Sequence, residues 1–304
     1  MDQLIAMNQL ITMAGQVILL LLLAPLVNGI IKKTKAFTQC RRGPGIFQPY
    51  FDVIKFLRRE PVVSNNTSWI TLLTPYVCLT AYLTAGSLIP MWVKQSFGFG
   101  DLIALTYLFA LSRFFLALAG LEPASAFGGM GSSREMMIAT LVEPVMVVGL
   151  FGLAMLAGTT DLGGIRGAGY SPVGLLTFIG LMFVTVAETG RIPVDNPDTH
   201  LELTMVHEAM LLEYAGRQVG FLHLAAMVKQ AVLLVLMVHL FWPLDPSAVI
   251  PIAMVILAGK VIVMGLVLAM IESCLAKMRL FKLPELMAGG ATFCLLAVLI
   301  NCLV

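Results

Sequence analysis

Eight apolar runs, each about as long as a bilayer is thick, follow one another along this 304-residue chain. They lie at about 10–31, 70–93, 102–119, 136–158, 172–188, 219–241, 248–271 and 286–304. A helix that crosses the hydrocarbon core of a membrane needs about 20 residues. Charged residues make up only 12% of the chain, about half the share of a soluble domain. The sequence therefore predicts an all-α polytopic membrane protein with about eight transmembrane helices, organised as one domain over residues 1–304.

The basic residues are concentrated on one side of this predicted bundle. Four alternate loops form that side: 32–69, 120–135, 189–218 and 272–285. They hold 14 of the 19 Lys and Arg residues, whereas the opposite loops hold only Lys94 and Arg166. The positive-inside rule places the basic loops in the cytoplasm. We therefore expect a multi-pass protein of the inner (plasma) membrane with both termini outside the cytoplasm.

Acidic residues are concentrated in a single segment, residues 188–214. It contains six of the 17 carboxylates: Glu188, Asp195, Asp198, Glu202, Glu208 and Glu213. Pro193 and Pro197 exclude a continuous helix through its first part. Because ionisable groups near lipid are costly, such a segment in an apolar chain indicates a function.

Charged residues also lie within or at the ends of the predicted spans. They are Arg113, Glu143, Glu188, Lys229, Lys260 and Glu272. Each would cost roughly 2.5–3.5 kcal/mol if it faced lipid, so we expect them to face the interior and pair with one another. Glu143 has several possible cationic partners, and the sequence does not choose among them. The pairs could simply hold the bundle together, or they could form a chain of titratable groups that relays protons. The acid-rich loop in the same chain favours the relay.

Two glycine-containing segments precede helical patterns. Gly43, Pro44 and Gly45 interrupt the first loop, and residues 46–59 then show apolar positions at helical spacing with a separate polar face. This pattern predicts an amphipathic surface helix, either a passive membrane anchor or a docking surface for a partner. Residues 127–135 predict a glycine-rich turn, with Ser132 or Ser133 capping the helix that follows. The turn lacks the lysine of a nucleotide-binding P-loop.

Other functional classes receive little support. The five cysteines form no C-x-x-C pair, so neither an iron–sulfur nor a zinc site is predicted. His200, His207 and Glu208 do not form the H-E-x-x-H metal motif. No nucleophile accompanies the paired carboxylates as a hydrolase would require. We predict no catalytic residue and no metal ligand in this chain.

At two places the residues resemble a known family. The segment from Ala187 through Asp195, ending in 213–216 (Glu-Tyr-Ala-Gly), resembles the third cytoplasmic loop of NADH dehydrogenase subunit 1, the NuoH subunit of bacterial complex I. The first loop is similar to that family too, with Arg-Gly-Pro-Gly at 42–45 followed by the matching positions Gln48, Pro49, Asp52 and Lys55. Eight spans and an external N-terminus fit the same family.

The acid-rich segment departs from ordinary complex I. Residues 198–208 look more like the homologous subunit of group 4, energy-converting [NiFe] hydrogenases and of formate hydrogenlyase and hydrogenase-4 complexes. In complex I the family member contributes to the quinone chamber, whereas in these relatives no quinone is reduced. The departure therefore argues against a quinone site.

The resemblance implies a membrane subunit that binds no redox cofactor itself. It would dock a peripheral arm whose hydrogenase-like large, small and iron–sulfur subunits carry iron–sulfur clusters and a [NiFe] centre. It would couple electron transfer there to proton or Na⁺ movement in antiporter-like membrane subunits. We expect the ion relay to comprise Glu143, Glu188, Asp195, Glu202, Glu208, Glu213, Lys229 and Lys260. We expect the docking surface to comprise Arg41, Arg42, Gln48, Asp52, Lys55 and Arg191.

Three alternatives remain open at this point. The first is a quinone-site-forming subunit of a complex I-type oxidoreductase. The second is an ion carrier that acts alone. The third is a purely structural anchor.

Overall fold

The computed structural model describes residues 2–62, 67–92, 100–195, 206–244 and 250–303. Within these ranges the chain is helical, with two short 3₁₀ segments, Ala168–Tyr170 and Leu280–Lys282. The α-helices are α1 Asp2–Thr38, α2 Gln48–Leu57, α3 Trp69–Leu88, α4 Leu102–Leu121, α5 Ala126–Ala157, α6 Pro172–Glu188, α7 His207–Leu211, α8 Arg217–Phe241, α9 Ile250–Cys274 and α10 Leu283–Leu303.

The membrane-spanning helices confirm the predicted all-α polytopic fold. Seven helices of the described ranges are long and apolar enough to cross a membrane: α1, α3, α4, α5, α8, α9 and α10. The fifth predicted span, 172–188, coincides with α6, which is apolar but has only 17 residues. That length lies at the lower limit for a transmembrane helix, about 17 residues.

The helices alternate in direction, so their ends gather at two opposite ends of the bundle. At one end, which we call the basic end, α1 and α9 finish side by side, and the hydroxyl groups of Thr38 and Ser273 lie 2.9 Å apart. At the opposite end the 159–165 segment crosses the start of α4, where the Leu102 amide donates to Thr160 O at 3.1 Å. Serines mark several starts: Ser68, Ser125 and Ser171 each cap the helix that follows.

Helix α8 lies at the centre of the bundle and is buried along most of its length. It packs against α1, α2, α3, α6 and α9. Because other helices surround it, α8 is apolar on all sides and its sequence shows no amphipathic pattern. Four polar side chains of α8 are buried inside the protein: Gln218, Lys229, Gln230 and His239.

Helix α2 is the predicted amphipathic helix of the first loop. Pro49 and Val53 are buried, and the α2 face they form packs on α1 and α8. The hydroxyl of Tyr50 donates to the carbonyl of Leu22 on α1. Phe47 and Phe51 remain exposed, as expected for a helix lying at a membrane surface.

Helix α5 begins earlier than the sequence predicts. The glycine-rich residues 127–135 form its first turns rather than a loop, and Ser125 caps the helix instead of Ser132 or Ser133. The physical reason is tertiary: a side chain at Gly131 would come within 3.0 Å of Ala209 on α7 and 3.1 Å of the Val206 carbonyl. The glycines let α7 approach closely, and this packing outweighs their poor helix propensity.

The close approach at Gly131 can be tested with a matched pair of substitutions. Gly131→Val should destabilise the packing of α7 on α5 by about 1–3 kcal/mol, because the added methyl groups must displace backbone and buried side chains. Gly129→Val lies on the same helix, where an added Cβ meets nothing within 4 Å, and should cost much less. Thermal unfolding in detergent measures both. Equal losses for the two variants would contradict this account of α7 packing.

Candidate functional site

Arg113 on α4 connects three acidic residues from two other helices. Its Nη1 donates to Glu143 Oε1 on α5 at 2.5 Å, and its Nη2 donates to Glu188 Oε2 on α6. Its Nε lies 4.0 Å from Glu135 Oε1. The rigid guanidinium fork suits such shared contacts, which a lysine could not make at once. Arg113 thus answers the question that the sequence left open, namely which cation pairs with Glu143.

Glu188 links this arginine to the centre of the bundle. Its second oxygen, Oε1, lies 3.7 Å from the Lys229 ammonium on α8. Both side chains are buried, and the Lys229 nitrogen also lies 5.9 Å from the centre of the Tyr82 ring. We refer to Arg113, Glu135, Glu143, Glu188 and Lys229 as the inner cluster. Its carboxylates outnumber its cations by one, so the binding of a single proton neutralises the excess negative charge.

The carboxylates of the inner cluster differ in exposure. The Glu188 side chain is 2% exposed and Glu135 is 12% exposed, but Glu143 is 39% exposed although it lies midway along α5. Glu135 was not predicted as a site residue, because the sequence placed it in a turn. Once α5 starts at Ala126, Glu135 lies eight residues before Glu143 on one helix, and both reach Arg113.

A second group of polar side chains lies closer to the basic end. Arg191, just after α6, donates to Glu272 Oε2 at 3.0 Å, to Gln230 Oε1 at 2.8 Å and to Asn28 Oδ1 at 3.3 Å. Lys35 on α1 donates to the other oxygen of Glu272 at 2.8 Å. We refer to Asn28, Lys35, Arg191, Gln230 and Glu272 as the outer cluster. It joins α1, α8, α9 and the chain after α6.

A cavity of about 650 Å³ is lined by members of both clusters. Its inner wall includes Glu135, Glu188 and Lys229, and its outer wall includes Arg191 and Glu272. The exposed residues Arg41 and Arg42 line it at the basic end. Charged side chains from separate parts of the chain therefore converge on one internal space.

Asp195, just before the undescribed residues 196–205, contacts Val206, just after them, and Lys277. Its Oδ2 accepts from the Val206 amide at 3.2 Å, and its Oδ1 lies 3.4 Å from the Lys277 ammonium. Asp195 also lines the cavity. Glu202, the predicted relay residue in the middle of this segment, lies outside the described residues.

The remaining predicted relay residues do not all gather at the cavity. Glu208 on α7 lines it, whereas Glu213 is exposed on the surface. Lys260 lies apart on α9, toward the opposite end of the bundle. Its ammonium donates to the Trp242 and Pro243 carbonyls at 3.2 and 2.9 Å and lies 4.9 Å from the centre of the Trp242 ring. This places Lys260 at the end of α8 rather than beside Glu143 or Glu188.

The predicted docking residues divide into exposed and buried ones. Arg41, Arg42, Gln48 and Lys55 are exposed, and Gln48 donates to Asp52 one turn later along α2 at 3.0 Å. Arg191 is buried in the outer cluster, because its three hydrogen-bond acceptors all come from transmembrane helices. The structure thus places Arg191 at the cavity wall rather than on the outer surface.

Comparison with known proteins identifies the family. The family described as NADH dehydrogenase matches residues 11–304, nearly the whole chain. The chain belongs to the NADH dehydrogenase family. This agrees with the NuoH-like resemblance of the two loops.

Two proteins of Escherichia coli K12 align with this chain over almost their full lengths. Formate hydrogenlyase subunit 4 is 36% identical over 93% of this chain and 95% of its own length. Hydrogenase-4 component C is 33% identical over 93% of both chains. A component of the NADH-quinone oxidoreductase from Salinibacter ruber is 29% identical over 76% of this chain and 72% of its own. The two hydrogenase-type relatives agree with the predicted resemblance to formate hydrogenlyase and hydrogenase-4 subunits.

A solved structure shows the same fold. A chain of the membrane-bound sulfane sulfur reductase, described as an archaeal respiratory membrane complex, superposes with a TM-score of 0.82 at 17% identity, over 97% of this chain and 99% of that one. Together, the family and the fold establish a multi-pass membrane subunit of the group 4 hydrogenase or complex I type. As with its relatives, its work is done with other subunits.

Proposed function

We propose that this subunit couples electron transfer in a peripheral arm to ion translocation, and that its inner cluster is the coupling element. The observation that carries the proposal is the sharing of Arg113 between Glu188 and Glu143. Buried salt bridges could serve only to hold the helices together. A cation shared by two carboxylates has a further property: Arg113 can pair mainly with Glu188 or mainly with Glu143. Ionisable groups in this position are a basis for proton or ion pathways in membrane proteins.

The proposed coupling step follows from charge balance. Protonation of Glu188 would remove its attraction for Arg113 and leave the guanidinium paired with Glu143 alone. Protonation of Glu143 would have the opposite effect. The Lys229 ammonium lies 3.7 Å from Glu188 Oε1, so a change of charge on either group acts directly on the other. A change of charge in the cavity would thereby be transmitted to Glu143, midway along α5.

The exposure of Glu143 indicates where the signal leaves the chain. A carboxylate that is 39% exposed at mid-span would be costly against lipid. Burial against a neighbouring membrane subunit removes that cost. We propose that an antiporter-like subunit, moving protons or Na⁺, covers this face of α5 and receives the signal from Glu143.

The basic end supports the docking of a peripheral arm. Arg41, Arg42 and Lys55 are exposed, and Arg41 and Arg42 also line the cavity. Exposed arginines favour charge-assisted contacts with acidic protein surfaces. We propose that this end faces the cytoplasm of a plasma membrane. The hydrogenase-like subunits bound there would carry the iron–sulfur clusters and a [NiFe] centre, and this chain itself would bind no redox cofactor.

The cavity does not fit a quinone well. Sites for such ligands are lined mainly by apolar side chains with a few polar groups. This cavity has apolar lining too, but it carries many charged side chains, including Lys32, Lys35, Glu135, Glu188, Lys229 and Glu272. So many charges exceed the few polar groups of such sites, and no step of the proposed mechanism uses a quinone.

The relay can be tested by neutralising its carboxylates one at a time. In the purified complex, reconstituted in liposomes, Glu188→Gln and Glu143→Gln should each lower the number of ions pumped per electron by about tenfold or more, because a proton-binding group is lost. A pH-sensitive dye and ²²Na⁺ uptake report the two candidate ions. Glu285→Gln, at an exposed position of α10, is the matched control. Pumping at the wild-type ratio in both cluster variants would rule the relay out.

Two further experiments test the alternatives of an ion carrier that acts alone and of a purely structural anchor. A carrier that acts alone should leave the membrane in mild detergent as an active single chain, whereas a coupling subunit should leave with its partners. A structural anchor should tolerate neutralisation of each interior charge with no change in pumping.

A further inference from the structure

The exposed residues of helix α5 lie along one side of that helix. From residue 133 to the end of α5 they recur at spacings of three, four or seven residues: Ser133, Met136, Thr140, Pro144, Phe151 and Met155. These spacings keep side chains on a single helical face. We refer to these six residues as the α5 stripe. The Glu143 carboxylate lies beside the stripe and is 39% exposed.

The middle of the α5 stripe also presents a backbone carbonyl. Pro144 lies inside α5 and has no N–H, so the Thr140 carbonyl, four residues earlier, lacks the amide that an α-helix normally supplies. The hydroxyl of Thr140 donates within α5 itself, to the Met136 carbonyl at 2.8 Å. Residues 140 and 143 are neighbours on a helix surface. Two hydrogen-bond acceptors therefore lie close together midway along a membrane-spanning helix.

Lipid is a poor neighbour for these two acceptors. Hydrocarbon offers no hydrogen-bond donor to a free carbonyl, and a charged carboxylate that faces lipid is costly. A second transmembrane helix can satisfy both groups, because polar side chains form hydrogen bonds across helices inside membranes. Met136, Thr140 and Pro144 follow one another at four-residue spacing, which is one of the rows along which helices pack. The α5 stripe therefore fits a helix of a neighbouring subunit better than it fits lipid.

The charge of the inner cluster indicates what that helix should carry. Three carboxylates face two cations in the cluster, so one negative charge is in excess. Glu143 is the most exposed of the three carboxylates, at 39% against 12% for Glu135 and 2% for Glu188. A neighbour can therefore reach the excess charge most easily at Glu143. An interface that buried this charge without a cation would be strongly destabilised.

We propose that a membrane-spanning helix of the antiporter-like subunit packs along the α5 stripe and places one lysine against Glu143 and the Thr140 carbonyl. A lysine ammonium carries one positive charge and three N–H donors, which match one excess negative charge and two acceptors. The inference rests on the function proposed above and names the chemistry of the partner. Arg113 and this lysine would share Glu143, so a movement of Arg113 toward Glu188 would strengthen the contact between Glu143 and the lysine.

Carbodiimide cross-linking of the purified complex tests the proposed pair directly. Dicyclohexylcarbodiimide dissolves in membranes and activates a carboxyl group, which a nearby amine then attacks to form an amide bond. We expect mass spectrometry of the digested complex to find Glu143 joined to a lysine in a membrane-spanning segment of another subunit. Glu143→Gln should lose this product. A carbodiimide adduct without an amine, a cross-link to a lysine of this chain, or an unmodified Glu143 would each overturn the proposal.

An added lysine on the α5 stripe gives a second test that needs no reagent. The side chain of Thr140→Lys would occupy the place of the partner's ammonium. We expect it to lower the amount of antiporter-like subunit that co-purifies with this chain by about tenfold or more, because like charges at an interface oppose association. Leu111→Lys adds the same charge midway along α4, at a position that is 43% exposed, and should retain the subunit. Equal retention in the two variants would contradict the proposal, because a lysine at residue 140 that met no other cation would simply pair with Glu143.

The outcomes separate this inference from the proposed function. If Glu188→Gln stops pumping but Glu143 forms no cross-link to another subunit, the relay stands and the lysine contact is wrong. If the cross-link forms and Glu188→Gln pumps normally, the lysine contact stands and the relay is wrong. The cross-link together with loss of pumping in Glu188→Gln supports both.

Discussion

Replacing Arg113 with leucine is expected to destabilise the protein by about 3–5 kcal/mol, the cost of leaving a buried ion pair without one partner. Arg113 is the cation shared by Glu143 and Glu188, and it lies 4.0 Å from Glu135. Without it, Lys229 would be the remaining cation of the inner cluster, facing three carboxylates. The expected result is loss of the chain from the assembled complex, measured by its abundance in purified membranes.

Two further variants test whether unpaired charge causes the loss of Arg113→Leu from the complex. Arg113→Lys keeps the charge but cannot bond Glu143 and Glu188 with a planar fork, so it should restore abundance more than pumping. The double variant Arg113→Leu, Glu188→Leu removes one anion together with the cation and should accumulate better than Arg113→Leu alone. If the double variant is no more abundant than the single one, unpaired charge is not the cause of the loss.

Replacing Glu272 with leucine is expected to have a similar effect on stability, about 3–5 kcal/mol, but at the outer cluster. Glu272 is buried and accepts from both Lys35 and Arg191, so its loss leaves two cations facing each other beside the cavity. These contacts join α1 and α9 to the chain that follows α6. Thermal unfolding of the detergent-purified chain or complex measures the change.

Glu285→Leu is the matched control for Glu272, because Glu285 is exposed in the first turn of α10. The double variant Glu272→Leu, Arg191→Leu should recover part of the lost stability. In the described part of the chain, Arg191 would otherwise retain the neutral acceptors Gln230 and Asn28. A Glu272→Leu protein as stable as Glu285→Leu would show that the outer cluster does not hold these helices together.

The fold could be predicted because a membrane-spanning helix is encoded by a single continuous apolar stretch of sequence. Each of the eight apolar runs forms a helix within the described residues, since a backbone in lipid must satisfy its own hydrogen bonds. The amphipathic pattern of residues 46–59 likewise led to α2, and the two loop motifs led to the family. In each case the signal lies within a short stretch of chain.

The prediction of a turn at residues 127–135 was partly wrong because contacts between residues distant in sequence decide the conformation there. Glycines favour a turn when only neighbours in sequence are considered. Here they permit the close contact of Gly131 with α7, which the sequence alone does not reveal. That one difference moved Glu135 from a surface turn into the inner cluster.

The amino-acid sequence by itself determined that this chain is a helical membrane protein, that it is NuoH-like, and that costly charges lie in its spans. Only the tertiary structure decided how those charges combine: Arg113 between Glu143 and Glu188, Lys229 beside Glu188, Arg191 inside the outer cluster, and Lys260 apart from all of them. The reason is physical. Hydrophobic periodicity is a property of neighbouring residues, whereas the ion pairs join groups from 22 positions apart (Arg113 and Glu135) to 237 positions apart (Lys35 and Glu272).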